Sequence, residues 1–133
     1  MNLPNISATL DGFLATLVGL PDVEWQNVPY TPKPNEAYIR PIVITLSDNE
    51  IDVGQQGSRF CKGYYRIEIY TPANRGKKPL HDLQTKLSEH FGRNKLIERN
   101  GTEVRTRRID IGRPVYADGW EMSVFYVYFS NIY

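Results

Sequence analysis

Residues 63–91 read Gly63-Tyr-Tyr-Arg-Ile-Glu-Ile-Tyr-Thr-Pro72, then Ala73-Asn-Arg-Gly-Lys-Lys78, then Pro79-Leu-His-Asp-Leu-Gln-Thr-Lys-Leu-Ser-Glu-His-Phe91. The hydrophobic period changes inside this block. Tyr65, Ile67 and Ile69 recur at every second residue, which puts them on one face of a strand, with Tyr64, Arg66, Glu68 and Tyr70 on the other. Leu80, Leu83, Leu87 and Phe91 recur at every third or fourth residue, the spacing of one helix face. Pro72 stops the strand, and Gly92 follows the last periodic residue, where helices commonly end. The block therefore predicts strand, basic loop and helix, in a sheet with one buried face and one semi-polar face.

Upstream, Tyr38 to Leu46 is β-branched and apolar and predicts a strand. Between it and the block, residues 47–58 are polar, acidic and Gly-containing, and predict a long hairpin loop. Ile6, Leu10, Phe13, Leu14, Leu17 and Val18 predict an amphipathic helix capped at Asn5 or Ser7 and ended by Gly19 and Pro21. Residues 22–36 carry Trp25, Pro29, Pro32 and Pro34, and predict a rigid connection.

Downstream, Lys95 to Arg99 and Glu103 to Ile111 flank Asn100-Gly101, a strong hairpin signal. Asp118-Gly119 marks another turn before Trp120 to Phe129, a strand apolar on both faces that belongs inside a sheet. Two helices cannot cover both faces of such a sheet. The expected fold is α+β: a mainly antiparallel sheet, two helices packed on one face, and a projecting hairpin or loop, in one domain over residues 1–133.

The composition is that of an ordinary globular chain, with 41% hydrophobic and 23% charged residues. Cys61 stands alone, which excludes an internal disulfide. No apolar run approaches the roughly 20 residues of a membrane span, and the N-terminus lacks a basic leader region, so a soluble protein made in the cytoplasm is expected. Nine tyrosines and two tryptophans supply side chains that suit surfaces buried against partners. The net charge of +1 divides into −5 over residues 1–58 and +6 over residues 59–133.

Catalytic and metal patterns fail one by one. His81 and His90 point in nearly opposite directions on one helix and read as surface residues. Cys61 beside Phe60 reads as a small core residue. The loop Arg75-Gly76-Lys77-Lys78 lacks the earlier glycine of a phosphate loop, because Thr71 stands there. Asp48, Glu50 and Asp52 fall short of a calcium loop, with Val53 and Arg59 where glycine and glutamate are needed. No enzyme, cofactor or metal is expected. Arg105, Arg107 and Arg108 form the sharpest basic cluster. Regular alternation would put Arg105 and Arg107 on the face of Ile109 and Ile111, so either the hairpin tip lies beyond the core or a bulge occurs near Arg107.

Taken together, several features resemble the phage tail terminator family, of the type of lambda's minor tail protein U. They are the N-terminal helix, Trp25-Gln-Asn27, Tyr30-Thr-Pro32, Tyr38-Ile-Arg-Pro41, the Gly63 to Pro72 block with Gly76 and the helix Leu80 to Phe91, and Gly119-Trp120 opening an aromatic strand that ends near Ser130. The resemblance implies a structural virion protein at the head-proximal end of the tail. It implies a homomeric ring, usually a hexamer, that caps the tail tube, stops its polymerisation and docks the head–tail connector. The major tail tube protein would be a partner, and DNA would pass through the lumen without sequence-specific binding. Opposite charges suggest interface residues: Asp48, Glu50, Asp52, Gln55 and Gln56 on one side, and Arg75, Lys77, Lys78, Arg105, Arg107 and Arg108 on the other. Alternative readings are another neck or tail-completion protein of similar fold, or a small nucleic-acid-binding α+β module.

Overall fold

The computed structural model describes residues 3–50 and 59–132, with side chains described for 3–46 and 61–131. The chain runs α1 (Leu3–Ala15), β1 (Asp22–Val23), β2 (Tyr38–Glu50), β3 (Arg59–Pro72), α2 (Lys78–Phe91), β4 (Leu96–Arg99), β5 (Thr102–Ile111), β6 (Val115–Ala117) and β7 (Trp120–Ile132). The strands form one curled sheet in the order β1-β2-β3-β7-β5-β4, with β6 also paired to β7. Every pairing is antiparallel except β1 with β2. The α+β expectation holds, and β7 lies inside the sheet as its two apolar faces require.

The core is the helix-covered face of that sheet. Tyr65, Ile67 and Ile69 of β3 lie beside Val127, Phe125 and Ser123 of β7 in direct register. Ile6, Leu10 and Leu14 of α1 and Leu80, Leu87 and Phe91 of α2 close over them and are fully or almost fully buried. Each such large side chain stabilises the fold by about 1.5–3 kcal/mol relative to exposure. Gly63 opens the decisive block for a steric reason. A Cβ there would stand 2.3 Å from the Ile44 carbonyl oxygen and 2.9 Å from the Phe129 ring. The ring of its cross-strand partner Phe129 fills the place of its missing side chain.

Local signals set the turns. Asn100 and Gly101 have φ of 51° and 83°, and Asp118 and Gly119 have 52° and 82°. Two successive positive-φ residues make the type I′ geometry that matches strand twist, which explains the hairpins β4–β5 and β6–β7. Gly92, at φ 61°, ends α2, its N–H donating to the Ser88 carbonyl at 2.9 Å.

Several boundaries differ from expectation. α1 begins at Leu3 and ends at Ala15, before Gly19, because bonds from Thr16 N to Phe13 O and Leu17 N to Leu14 O tighten its last turn. Val18 is 89% exposed and contributes nothing to the helix face. Residues 47–50, expected as loop, continue β2 as strand: a register shift between Thr45 and Ser47 leads into the pairs Ser47↔Lys62 through Glu50↔Arg59. β6 was not foreseen and completes the Asp118-Gly119 hairpin.

β5 settles the arginine puzzle with a bulge. Its register to β7 shifts between Thr106 and Arg108. Thr102, Val104 and Thr106 are buried before the shift, and Ile109 packs against the core after it. One extra residue inverts the alternation, so no arginine enters the core.

Candidate assembly surfaces

The face of the sheet away from the helices presents Tyr38, Arg40, Ile42 and Ile44 of β2, Tyr64, Arg66, Glu68 and Tyr70 of β3, and Met122, Val124, Tyr126 and Tyr128 of β7. Cross-strand register gathers the aromatics at its two ends. At one end Tyr38 stacks on Tyr70 at 4.5 Å between ring centroids and meets the edge of Trp120 at 5.2 Å. At the other, Tyr64 meets Tyr126 at 5.4 Å and Tyr128 at 5.6 Å, and the Arg108 guanidinium lies 4.1 Å above the Tyr128 ring. Such contacts hold large amphipathic side chains in fixed positions with little entropy left to lose on binding.

Between the two clusters runs an ion network. Glu68 accepts from Arg40 Nη1 at 3.2 Å and from the Tyr70 hydroxyl at 2.8 Å, and pairs with Arg66 Nη2 at 3.2 Å. Arg40 also donates to Glu24. Burial, and then Glu68, push the Tyr70 phenol up to about 12. The Arg66 Nε is buried without a hydrogen-bond partner among the described residues. The network borders a cavity of about 510 Å³ between residues 24–29 and the strands.

The predicted interface residues fall into separate places. Arg75 and Lys77 are exposed in the loop before α2, where Ala73 N donates to Gly119 O, and Lys78 is exposed at the first residue of α2, where it pairs with Asp82 at 3.1 Å. Arg105, Arg107 and Arg108 lie beside Ser130 and Tyr128, at the far end of β7. About ten residues of strand, roughly 30 Å, separate the two basic groups, so they are not one patch. Arg105 Nη1 donates to the Asn94 carbonyl at 3.2 Å, and Arg107 Nε to Ser130 Oγ at 2.9 Å. Neither has an ion pair among the described residues, whereas Arg108 pairs with Asp110 at 3.5 Å. Asp48 and Glu50 extend β2 at this same end, in register with Cys61 and Arg59. Asp52, Gln55 and Gln56 lie outside the described residues.

Beside the arginines is a basin of about 530 Å³ lined by Leu46, Lys62, Gly63, Arg107, Arg108, Tyr128, Phe129 and Ser130. Leu46 is 61% exposed there. The sheet edge beyond it is also open. From Arg108 to Ile111, β5 pairs only with β7 among the described residues, and Ile111, Val115 and Tyr116 are exposed along that edge. The Arg107 bulge and Pro114 interrupt the edge and blunt it against indiscriminate strand pairing.

Sequence reasoning missed the Arg40–Glu24–Glu68–Arg66 network and the tyrosine clusters. The alternation of Tyr64, Arg66, Glu68 and Tyr70 placed them on one face, but their neighbours depend on register between distant strands. His90 corrects another expectation. It is a half-buried clasp between the helices, stacked on Phe13 at 4.1 Å, with Nε2 2.7 Å from the Phe13 carbonyl oxygen and 3.2 Å from Thr16 Oγ1. His81 is exposed as expected, and Cys61 is buried. No group of three His, Cys, Asp or Glu residues suited to a metal ion occurs among the described residues. No described helix is long and apolar enough to cross a membrane.

Comparison with known proteins agrees with this fold. One solved structure, 22% identical, covers 100% of this chain and 96% of its own with a TM-score of 0.73, and shows the same fold. No curated protein matches the chain. The family described as phage tail terminator protein matches residues 5–125, from the first turns of α1 to the middle of β7. A chain with this fold and these outward-facing aromatic and charged surfaces, matched over most of its length, belongs to the phage tail terminator family, and is a structural component of the phage tail that works through contacts with other tail and head parts.

Proposed function

We propose that residues 1–133 form one domain, and that copies of it close into a hexameric ring capping the tail tube. The ring stops tube polymerisation and presents the docking surface for the head–tail connector, while DNA passes through its lumen. The observation that carries this reading is the helix-free face of the sheet, where Tyr64, Tyr70, Tyr126 and Tyr128, held by ring contacts, and an ion network remain partly exposed. Half-buried aromatics of this kind suit burial against a partner. Closed rings need two different complementary surfaces on each subunit. The acidic stretch Asp48, Glu50, Asp52 with Gln55 and Gln56, and the basic sites Arg105, Arg107 and Arg108, supply opposite signs. The Arg75, Lys77 and Lys78 loop, at the other end of the sheet, is assigned to a contact with the tube or the connector.

Light scattering during size exclusion, over a range of protein concentrations and with and without tail tubes, tests the ring. A discrete species of about six chain masses is expected. A monomer under every condition contradicts the reading.

A further inference from the structure

We propose that β5 of one copy pairs along its open edge with β2 of the next, so that one sheet continues from copy to copy. This rests on the ring reading and names the contact that would close it. β1 leaves β2 after two pairs, Asp22↔Tyr38 and Val23↔Ile39, and Glu24 N donating to Ile39 O is their last bond. From Arg40 to Ile44, at the end of β2 away from Glu50, no described backbone group bonds to β2 on that side. Successive strand residues aim their N–H and C=O at alternate edges. Since Ile39 faces β1, Pro41 and Val43 face the open edge, where a proline costs no ladder bond. On β5, Gly112 N donates to Val124 O of β7 at 2.7 Å, so Ile111 and Ile109 face away from β7. Unpaired edges of this kind are templates for another strand.

The two edges match each other. Register sets Val43, Tyr65, Val127 and Ile109 in one row across the sheet, and Pro41, Ile67, Phe125 and Ile111 in another. The outward-facing residues of one edge are thus level with those of the other. A bulge bounds both stretches at the same end, between Thr45 and Ser47 on β2 and between Thr106 and Arg108 on β5. Three antiparallel steps separate β2 from β5, so the two run in opposite directions. Rotation about a ring axis keeps that relation between copies. β5 laid on the next β2 is therefore an antiparallel pair, with Val43 opposite Ile109 and Pro41 opposite Ile111. Val43 and Ile109 are partly buried at the rims of their cores and Ile111 is 50% exposed, so the pairing joins apolar rims. On the other face Asp110 comes level with Ile42, beside Arg40 and Arg66. The Arg66 Nε there is buried without an acceptor among the described residues, and the cavity of about 510 Å³ lined by Arg40, Ile42 and Arg66 leaves room for the arriving carboxylate.

Disulfide trapping tests this. Ile42 and Asp110 of adjoining copies would form a non-hydrogen-bonded pair, with Cα atoms about 4.5 Å apart, within disulfide reach. Within one chain the same two residues lie three strand spacings apart, roughly 14 Å, which excludes an internal bond. A chain carrying both Ile42→Cys and Asp110→Cys is expected, on mild oxidation, to give a ladder of linked chains up to six that collapses with reductant. Each single variant is expected to give none. Ile111→Pro removes an N–H aimed at the neighbour and no bond to β7. It is expected to melt within a few degrees of the parent by circular dichroism, yet to need about ten-fold more protein to assemble. If the parent assembles and the double variant stays a single chain on oxidation, or Ile111→Pro assembles as the parent does, the edge pairing is wrong while the ring stands. If the parent never assembles, even on tubes, both are wrong.

Discussion

Thr106 and Arg108 pair with consecutive residues of β7, Phe129 and Tyr128, leaving Arg107 as an extra residue between them. This bulge lets one strand bury Val104 and Thr106 on one side of it and pack Ile109 against the core on the other. It also turns Arg107 and Arg108 outward beside the basin.

Deleting Arg107 removes the extra residue but keeps Thr106 inward and Arg108 outward. The melting temperature is expected to fall by only a few degrees, about 1 kcal/mol. Deleting Arg105 instead leaves Arg107 facing the core without a partner, and is expected to abolish the cooperative melt. Thermal circular dichroism on the two deletions separates these outcomes, and equal losses would contradict the register.

Phe91 is fully buried and meets Phe13 edge-on at 5.4 Å and Tyr65 at 5.8 Å. Phe91→Ala is expected to cost about 3–5 kcal/mol, read from the midpoint of urea unfolding. His90→Ala removes the stack on Phe13 and the bond to its carbonyl, and is expected to cost about 1–2 kcal/mol in the same assay. A surface histidine would cost almost nothing.

Asp11 accepts the Tyr65 hydroxyl under α1. Burial holds its carboxyl above the usual 3.8, against the opposing hydrogen bonds from Tyr65 and Ser7. A carboxyl raised in the folded state supports the fold while protonated. That contribution is complete below the unfolded pKa and is lost as pH rises through the folded value. Asp11→Asn is therefore expected to gain stability relative to the parent between about pH 3.5 and pH 7, measured by urea unfolding at both. A constant difference across that interval would show that Asp11 does not titrate in this way.

Tyr64 and Tyr126 face away from the helices and touch each other across β3 and β7. Replacing both with serine is expected to weaken assembly at least ten-fold while leaving the fold of the isolated chain intact. Sedimentation across a concentration series, with circular dichroism as the control, reads both effects.

Much of the fold was legible because local chemistry and hydrophobic period agree. The Tyr65-Ile67-Ile69 alternation, the Leu80-to-Phe91 stripe and the Asn100-Gly101 and Asp118-Gly119 turns each specify one local geometry. Even the bulge was foreshadowed, since Arg105 and Arg107 could not both share a face with Ile109. The surfaces were less legible. The sequence marked charged residues, but which of them are neutralised depends on strand register: Glu68 absorbs Arg40 and Arg66, whereas Arg107 finds only Ser130. His90 misled because its spacing put it outside the α2 stripe, while the neighbour that covers it, Phe13, comes from α1.

The most direct test of the account is electron microscopy of tail tubes grown from the major tail protein with and without this chain. The account predicts a single ring at one end of each tube and arrested elongation. Tubes that keep growing, with no added density at either end, would contradict it.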